Sequence, residues 1–194
     1  MHIYICKWDK EKAGDEPIRQ FLKDYSVKKN LGLTCEEINQ TPIVRGAHGK
    51  PYFKDLPQIH FSISHSGRYF GCCFETVPIG FDLEDLGIRR LKIKAVARRF
   101  FTQQEYEYVL TGGEKAFYEI WIRKEAYVKY LGKGISFGLS RFEVVGEKGI
   151  LDQLEDVYLG EISICPHIKA AYAAPKAVTI EVIKIEPGGE RRLC

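Results

Sequence analysis

Apolar and polar residues follow two different rhythms along this chain. In several short segments they alternate with a period of two, which predicts strands because successive side chains of a strand point to opposite faces. The predicted strands cover residues 1–8, 59–63, 69–74, 79–84, 142–145, 157–165, 169–174 and 178–185. Helices are predicted over residues 16–29 and 88–100. Two further helices are predicted to begin after Thr34 and Thr102, each with a Glu three residues later that completes a capping box.

The predicted helix around Trp121 carries charges on its apolar side. Its apolar stripe consists of Phe117, Ile120, Trp121, Val128 and Leu131. Lys124 and Glu125 occupy positions of this stripe where apolar residues are expected, and Lys129 lies one turn beyond Glu125. Burying an unpaired charge costs several kcal/mol, so an ion, a counter-charge or a ligand must compensate for it. The alternative is a helix that is turned so that both charges reach the solvent.

A pair of carboxylates lies in the predicted strand at residues 79–84. Strand alternation places Gly80, Asp82 and Glu84 on one face and directs the apolar residues between them into the core. Neighbouring carboxylates repel each other unless a proton or a cation separates them, and their oxygens suit Mg²⁺. The small Gly80 would leave room for a ligand on this face. The alternative is an exposed edge strand whose acidic side chains are solvated.

Composition narrows the classes of protein without identifying one. The chain has 194 residues, of which 45% are hydrophobic and 28% charged, as in an ordinary soluble protein of one large domain or two small lobes. Its net charge of +3 is too small to indicate nucleic-acid binding. No apolar segment has the length of a membrane span, and the first residues lack the layout of a signal peptide. The six cysteines form no CxxC pattern, which favours a reducing cytoplasm over a disulfide framework or a zinc site.

A predicted strand runs into a polar turn at residues 60–67. Ser64, His65 and Ser66, at the end of this strand, could donate hydrogen bonds to phosphate oxygens. A serine nucleophile with a histidine base is the competing chemical interpretation. It is disfavoured because adjacent side chains of an extended chain diverge and no nucleophile-elbow pattern surrounds them. A histidine that is hydrogen-bonded within the turn is the simpler structural alternative.

Several motifs, in order along the chain, carry a family resemblance. They are GKP at residues 49–51, FSISHSG at 61–67, IGFDLE at 79–84, FFTQQEY at 100–106 and WxxKEAxxKxxGKG at 121–134. Each motif alone is weak, whereas all of them in this order are specific. Together they resemble a 4′-phosphopantetheinyl transferase. The resemblance is to the surfactin-synthetase-activating branch rather than to the short trimeric holo-acyl-carrier-protein synthases.

The resemblance implies an α+β fold of two similar lobes that are related by a pseudo-twofold axis within one chain. The N-terminal lobe would cover residues 1–85 and the C-terminal lobe residues 86–194. Coenzyme A would bind in the cleft between the lobes, and the protein would be a cytoplasmic monomer. The implied reaction moves phosphopantetheine from coenzyme A to a serine of an apo acyl or peptidyl carrier protein and releases 3′,5′-ADP.

The resemblance also assigns roles to the charged residues. Asp82, Glu84 and Glu125 would hold Mg²⁺ against the pyrophosphate. Glu125 would also act as the general base for the incoming serine, and Lys129 would stabilise the leaving α-phosphate. The coenzyme A-binding residues would be Lys50, Ser64, His65 and Lys129. Lys124 is left outside the catalytic set, because an ion pair with Glu84 or Asp82 would explain it equally well.

Two basic regions are candidates for binding anionic partners. Lys28, Lys29 and Arg45 are candidates, by charge and position, for the nucleotide 3′-phosphate of coenzyme A. Residues 88–101 contain six Lys or Arg and no Asp or Glu, interleaved with apolar side chains. A basic, apolar-studded face of this kind would steer an acidic carrier protein electrostatically. A solvated basic helix without a partner is the alternative.

Two other functional classes are compatible with parts of the pattern. A binding protein for coenzyme A or a similar nucleotide would keep Lys50 and His65 but would not need Glu125. A Mg²⁺-dependent nucleotide hydrolase would need the carboxylates but no protein partner. An activity that requires metal and appears only with an apo carrier protein would separate a transferase from both.

Overall fold

The computed structural model of the protein describes residues 1–7, 14–87, 92–185 and 191–193. Its helices are α1 (Glu16–Lys28), α2 (Cys35–Gln40), α3 (Ile93–Phe100) and α4 (Gln103–Leu131). Its strands are β1 (His2–Lys7), β2 (Ile43–Arg45), β3 (Pro51–Phe53), β4 (His60–Ser66), β5 (Tyr69–Glu75), β6 (Gly80–Asp85), β7 (Val145–Gly146), β8 (Gly149–Ile150), β9 (Gln153–Leu154), β10 (Val157–Cys165), β11 (Ile168–Ala174), β12 (Glu181–Ile185) and β13 (Arg191–Leu193). The predicted mixture of strands and helices is confirmed. The strand predicted at residues 142–145 is wrong except for Val145, because a 3₁₀ turn at Leu139–Arg141 precedes it.

Two sheets form the framework of the fold. The strand order is β13-β12-β1-β5-β4 in the first sheet and β6-β11-β10-β9 in the second. Strand β1 pairs in parallel with β12 and antiparallel with β5, whereas β6 pairs antiparallel with β11. Strand β6, which ends at residue 85, pairs with later strands in the second sheet, whereas β12, near the C-terminus, pairs with β1 in the first sheet. Each sheet therefore contains strands from both sides of residue 85. The division into an N-terminal lobe (1–85) and a C-terminal lobe (86–194) stays a prediction.

An apolar core joins the two sheets. Strands β1 and β5 contribute Ile3, Ile5 and Cys73, and β6 contributes Phe81 and Leu83 to the same cluster. None of these side chains is more than 3% exposed. The predicted alternation of β6 is confirmed, because Asp82 and Glu84 point away from this core. Burial of such side chains, at about 1.5–3 kcal/mol each for the larger ones, holds β6 in register with the first sheet.

Helix α4 consists of two helical segments that meet at Gly113. Gly113 has φ 64° and ψ −142°, a conformation that glycine adopts readily and other residues do not. The capping box at Thr102 begins the first segment, and Gly132, with φ 65°, ends the second, as predicted. Within the described ranges, no helix combines the length and the apolarity that crossing a membrane requires.

The second segment of α4 lies directly against β6. A side chain at Gly80 would overlap the carbonyl oxygen of Ala126 and the backbone nitrogen of Tyr130. The prediction that Gly80 leaves room for a ligand is therefore wrong, because helix backbone fills that space. The close approach brings Glu125 and its neighbours next to the acidic face of β6.

Candidate active site

A cleft of about 230 Å³ opens between the β2–β3 turn, β4 and the C-terminal end of α4. The charged and titratable side chains of its lining include Arg45, His48, Lys50, Glu125 and Lys129. All of these except Glu125 carry a positive charge or can acquire one. This lining suits a ligand with several anionic groups, such as phosphates.

Glu125 is a buried carboxyl group on the cleft side of α4. Its side chain is only 8% exposed, and its Oε1 is buried without a hydrogen-bond partner. Burial raises the pKa of Glu125 to about 7, with help from the negative charge of Asp82 and a smaller contribution from Glu84, while Lys129 opposes the shift. A carboxyl group with a pKa near neutrality can take up and release a proton at physiological pH.

Asp82 joins β6 to both β4 and α4. Lys129 Nζ forms an ion pair with Asp82 Oδ1 at 2.7 Å, and the Ser64 hydroxyl donates to the same oxygen at 2.7 Å. The other oxygen, Oδ2, is buried without a hydrogen-bond partner. Lys129, predicted to lie close to Glu125, has Asp82 as its direct partner and also opposes the rise in the pKa of Glu125.

Glu84 is held by donors from two different elements. The Ser66 hydroxyl of β4 donates to Oε2, and the indole N–H of Trp121 in α4 donates to Oε1 at 3.0 Å. Glu84 is 5% exposed. Both donors are neutral groups, and together they fix the orientation of the carboxylate.

Lys50, in the lining of the cleft, connects the β2–β3 turn to the residue before β6 and to α4. Its ammonium group donates to the carbonyl oxygens of Ile79 at 2.9 Å and Tyr130 at 3.0 Å. Burial lowers the pKa of Lys50 to about 8. Lys50 therefore lines the cleft, as the prediction requires, with part of its hydrogen-bonding capacity used by the backbone.

Ser64 and His65 do not act as a pair. They are adjacent on β4 and so point to opposite faces, with Ser64 buried against Asp82 and His65 exposed. Among the described residues that line the cleft, β4 is represented by Ser62 and Ile63 instead. The predicted phosphate contacts of Ser64 and His65 stay predictions, and they cannot both come from one face of the strand.

The three carboxylates and Lys129 lie in a segment that comparison with known proteins recognises. The sequence model of the 4′-phosphopantetheinyl transferase superfamily matches residues 78–177, which is more than half of the chain. The chain belongs to this superfamily. The matched segment includes Asp82, Glu84, Glu125 and Lys129.

Curated transferases show how far the similarity extends. The chain is 43% identical over 101 residues to the 4′-phosphopantetheinyl transferase Sfp of Bacillus subtilis, a match that covers 50% of this chain and 44% of Sfp. It is 32% identical over 129 residues to gsp of Aneurinibacillus migulanus and 35% identical over 132 residues to HetI of Nostoc sp.. Each of these two matches covers 64% of this chain and 52% of the relative. The chain thus spans about half the length of these curated relatives, and the predicted resemblance to the surfactin-type branch is confirmed.

Lys124 of the superfamily motif lies outside the cleft. Its ammonium group forms an ion pair with Glu105 at 2.7 Å, and both side chains are 0% exposed. It also donates to the carbonyl oxygens of Leu139, at 2.7 Å, and Phe142. The predicted pairing of Lys124 with Glu84 or Asp82 is wrong, because α4 directs Lys124 and Glu125 to different surroundings. The prediction that buried charges in this helix need partners is confirmed for Lys124.

The basic residues proposed for anionic partners are distributed over different surfaces. Arg45 lines the cleft, where it donates to the carbonyl oxygen of Gly49 at 3.0 Å. Lys28 instead forms an ion pair with Glu181 at 2.6 Å. Arg89 and Arg90 lie outside the described residues, as do Ile88 and Leu91. Helix α3 is described and exposes Lys94, Arg98 and Arg99.

Transferases of this superfamily are expected to use a divalent cation, and the carboxylates can be tested for their fit to one. In the described part of the chain, no group of three or more His, Cys, Asp or Glu side chains is already arranged to hold a metal ion. Two carboxylate oxygens of the site, Asp82 Oδ2 and Glu125 Oε1, are nevertheless buried without a hydrogen-bond partner. The pKa of Glu125 is raised first by burial and then by the negative charges of Asp82 and Glu84. Carboxylate oxygens without a hydrogen-bond partner, next to other carboxylates, are the features that a hard cation would satisfy.

The sequence does not predict His48 or the indole of Trp121 as parts of the site, and it predicts Ser66 as a phosphate donor rather than as a partner of Glu84. His48 lines the cleft, and Ser66 and Trp121 hold Glu84. The spacing of Ser62, Ser64 and Ser66 was a usable signal, since a period of two puts all three hydroxyls on one face of β4. Trp121 was assigned to the apolar stripe of its helix, and nothing in that pattern pointed to its indole N–H.

Proposed function

We propose that this protein transfers the 4′-phosphopantetheine group of coenzyme A to a serine of an apo acyl or peptidyl carrier protein and releases 3′,5′-ADP. The observation that carries the proposal is Glu125, whose pKa of about 7 places an acid–base group on a basic cleft beside Lys129. Similar proteins are named 4′-phosphopantetheinyl transferases, which supports the same reaction for this chain.

The proposed arrangement is a pair of similar lobes related by a pseudo-twofold axis, with the active site between them. Strands β4 and β6 are end strands of the two sheets and lie against each other at the carboxylates, which supports a site at the junction. One chain would then supply both halves of the site and act as a monomer. The described cysteines are free thiols, which agrees with the reducing conditions of the cytoplasm.

Coenzyme A would occupy the cleft with its phosphates toward the basic lining. Arg45, His48 and Lys50, on and next to the β2–β3 turn, would meet the adenosine end, while Lys129 would meet the pyrophosphate. Lys28 and Lys29 are less suitable for the 3′-phosphate than Arg45, because Lys28 is engaged by Glu181. His65, and Ser64 after release from Asp82, would complete the phosphate contacts.

Glu125 would act as the general base. The serine hydroxyl of the carrier gives its proton to Glu125 while its oxygen forms a bond to the phosphorus next to pantetheine. The bond from that phosphorus to the oxygen of the nucleotide α-phosphate breaks, and 3′,5′-ADP leaves. Lys129 would move from Asp82 to the α-phosphate and stabilise the charge that builds there, an effect that can lower the barrier by about 3–4 kcal/mol.

Asp82, Glu84 and Glu125 are the residues that would hold Mg²⁺. When bound, the cation supplies charge neutralisation for the pyrophosphate. The ammonium group of Lys129 now partly neutralises Asp82, so binding of the cation and movement of Lys129 toward the nucleotide would be linked.

The carrier protein would dock on the basic surface that follows β6. Lys94, Arg98 and Arg99 of α3 are exposed, and carrier proteins are generally acidic around their serine. Reversing the charges of Arg89, Arg90 and Lys94 should slow carrier modification and leave coenzyme A binding unchanged. An equal loss of both would contradict this assignment.

Release of 3′,5′-ADP separates the transferase from the other two classes. Coenzyme A and Mg²⁺ would be incubated with the protein, with and without an apo carrier protein, and the nucleotide products separated by chromatography. The proposal requires 3′,5′-ADP in an amount equal to the carrier added. Nucleotide release without carrier would indicate a hydrolase, and binding of coenzyme A without release in either case would indicate a binding protein.

A further inference from the structure

Strand β4 carries a row of serines that connect it to β6 by side chains. The Ser62 hydroxyl accepts the backbone N–H of Phe81 at 3.1 Å, and Ser64 and Ser66 donate to Asp82 and Glu84. All three serines are buried. Strands β4 and β6 belong to different sheets, so these hydroxyls form hydrogen bonds across a junction that no shared ladder spans.

Glu84 differs from the other two carboxylates in how completely its orientation is set. One donor contacts each of its oxygens, and the two donors come from β4 and α4. Asp82 and Glu125, by contrast, each keep one buried oxygen without a hydrogen-bond partner. Two donors on separate elements fix both the position and the plane of a carboxylate.

We infer that Ser66 and Trp121 are positioning residues that hold Glu84 as the pre-oriented ligand for a divalent cation. Asp82 and Glu125 then adjust to the cation. This inference rests on the proposed function, because it takes the three carboxylates as the metal-binding set. Partners that orient ligating carboxylates typically change metal affinity by about 10–100-fold when they are removed.

The structure offers variants that separate positioning from packing. Ser66→Ala removes one donor. Trp121→Phe removes the N–H but keeps a ring that can stack on Phe117, whose centroid lies 5.7 Å from that of Trp121. Ser62→Ala is the matched control, because it removes a buried hydroxyl from the same face of β4 without touching a carboxylate.

The test is direct metal binding to the full chain without coenzyme A. Mn²⁺ binding would be followed by the loss of the free-ion signal in electron paramagnetic resonance, and Mg²⁺ by competition. We expect Ser66→Ala and Trp121→Phe each to raise the apparent Kd about tenfold, and Ser62→Ala to leave it within about twofold of wild type. Thermal unfolding in EDTA would show that each variant is folded.

The outcomes distinguish this inference from the proposed function. Wild-type affinity in both Ser66→Ala and Trp121→Phe would overturn the positioning role and leave the metal site intact. An equal loss in Ser62→Ala would also overturn it, since the effect would then come from loosening of the β4–β6 junction. Failure of the wild-type protein to bind Mn²⁺ or Mg²⁺ would overturn both the inference and the metal component of the proposed function.

Discussion

The buried ion pair between Glu105 and Lys124 should be among the most sensitive positions of the fold. Both side chains are 0% exposed and lie 2.7 Å apart. Glu105 also accepts the backbone N–H groups of Val144 at 2.8 Å and Thr102 at 3.1 Å. The pair therefore joins the start of α4, its C-terminal half and the segment that follows it. Burial lowers the pKa of Lys124, and Glu105 opposes that shift.

Removing one partner leaves the other charge buried without compensation. Lys124→Met keeps the length of the side chain but leaves the Glu105 carboxylate without its cation. Breaking a buried ion pair in this way lowers the free energy of unfolding by about 3–5 kcal/mol, a large fraction of the 5–15 kcal/mol of a typical domain. For a chain of this size each kcal/mol lowers Tm by about 2–4 °C, so a decrease of about 10 °C is expected.

Urea unfolding and calorimetry of wild type, Lys124→Met and Lys115→Met would measure the effect. Lys115 is the control, because it forms an exposed i,i+4 pair with Glu119 at 3.8 Å, and such pairs contribute about 0.5 kcal/mol or less. The double variant Glu105→Gln, Lys124→Met should lose less stability than the sum of the single variants, since neither charge is left alone. A decrease in the free energy of unfolding of less than about 1 kcal/mol for Lys124→Met would refute the claim that Glu105 needs Lys124 as its counter-charge.

Three further predictions concern the site and its surroundings. Gly80→Ala should lower the free energy of unfolding, measured with urea, by more than about 2 kcal/mol, because the added Cβ would overlap the backbone at Ala126. A decrease no larger than that of an exposed Gly→Ala change would contradict the close packing of α4 on β6. In EDTA, Glu125→Gln should stabilise the protein above pH 7 by up to about 3 kcal/mol, and this advantage should disappear as the pH falls toward 4.5. The reason is that a folded-state pKa raised to about 7 makes ionisation of Glu125 costly only in the native state. A stability difference between the variant and wild type that does not change with pH would exclude this explanation. Lys94→Glu with Arg98→Glu should lower the rate of carrier modification more at low salt than at high salt, measured by mass spectrometry, and a salt-independent effect would argue against electrostatic docking.

Local signals in the sequence predicted most of the elements. The capping boxes at Thr34 and Thr102 depend on residues three positions apart, and both are present in the structure. The alternation in β6 predicted which side chains enter the core and which face the site. These predictions hold because the interactions that determine them lie within one turn of helix or along one strand.

Predictions failed where the determining contact is distant in the chain. Periodicity placed Lys124 and Glu125 on one stripe but could not reveal that Lys124 meets Glu105 from the start of the same helix. The space beside Gly80 is filled by α4, a fact that depends on how the helix packs on β6. The exchange of β6 and β12 between the sheets likewise depends on pairing between distant segments, which no local pattern encodes.

The candidate site was predicted as a set of residues but not as a network. The motifs identified Asp82, Glu84, Glu125 and Lys129, and the structure brings these side chains together. The hydrogen bonds from β4 and from Trp121 that orient the carboxylates connect segments far apart in sequence. Such partners become visible only after the strands are placed against each other.

Intact-mass spectrometry of a carrier protein tests the central claim most directly. An apo acyl carrier protein and an apo peptidyl carrier protein would each be incubated with coenzyme A, Mg²⁺ and either wild-type protein or Glu125→Gln. The account predicts that wild type adds one phosphopantetheine to the serine of at least one carrier, and that EDTA or Glu125→Gln abolishes the addition. Modification by Glu125→Gln at the wild-type rate, or no modification of either carrier by a wild-type protein that binds coenzyme A, would contradict it.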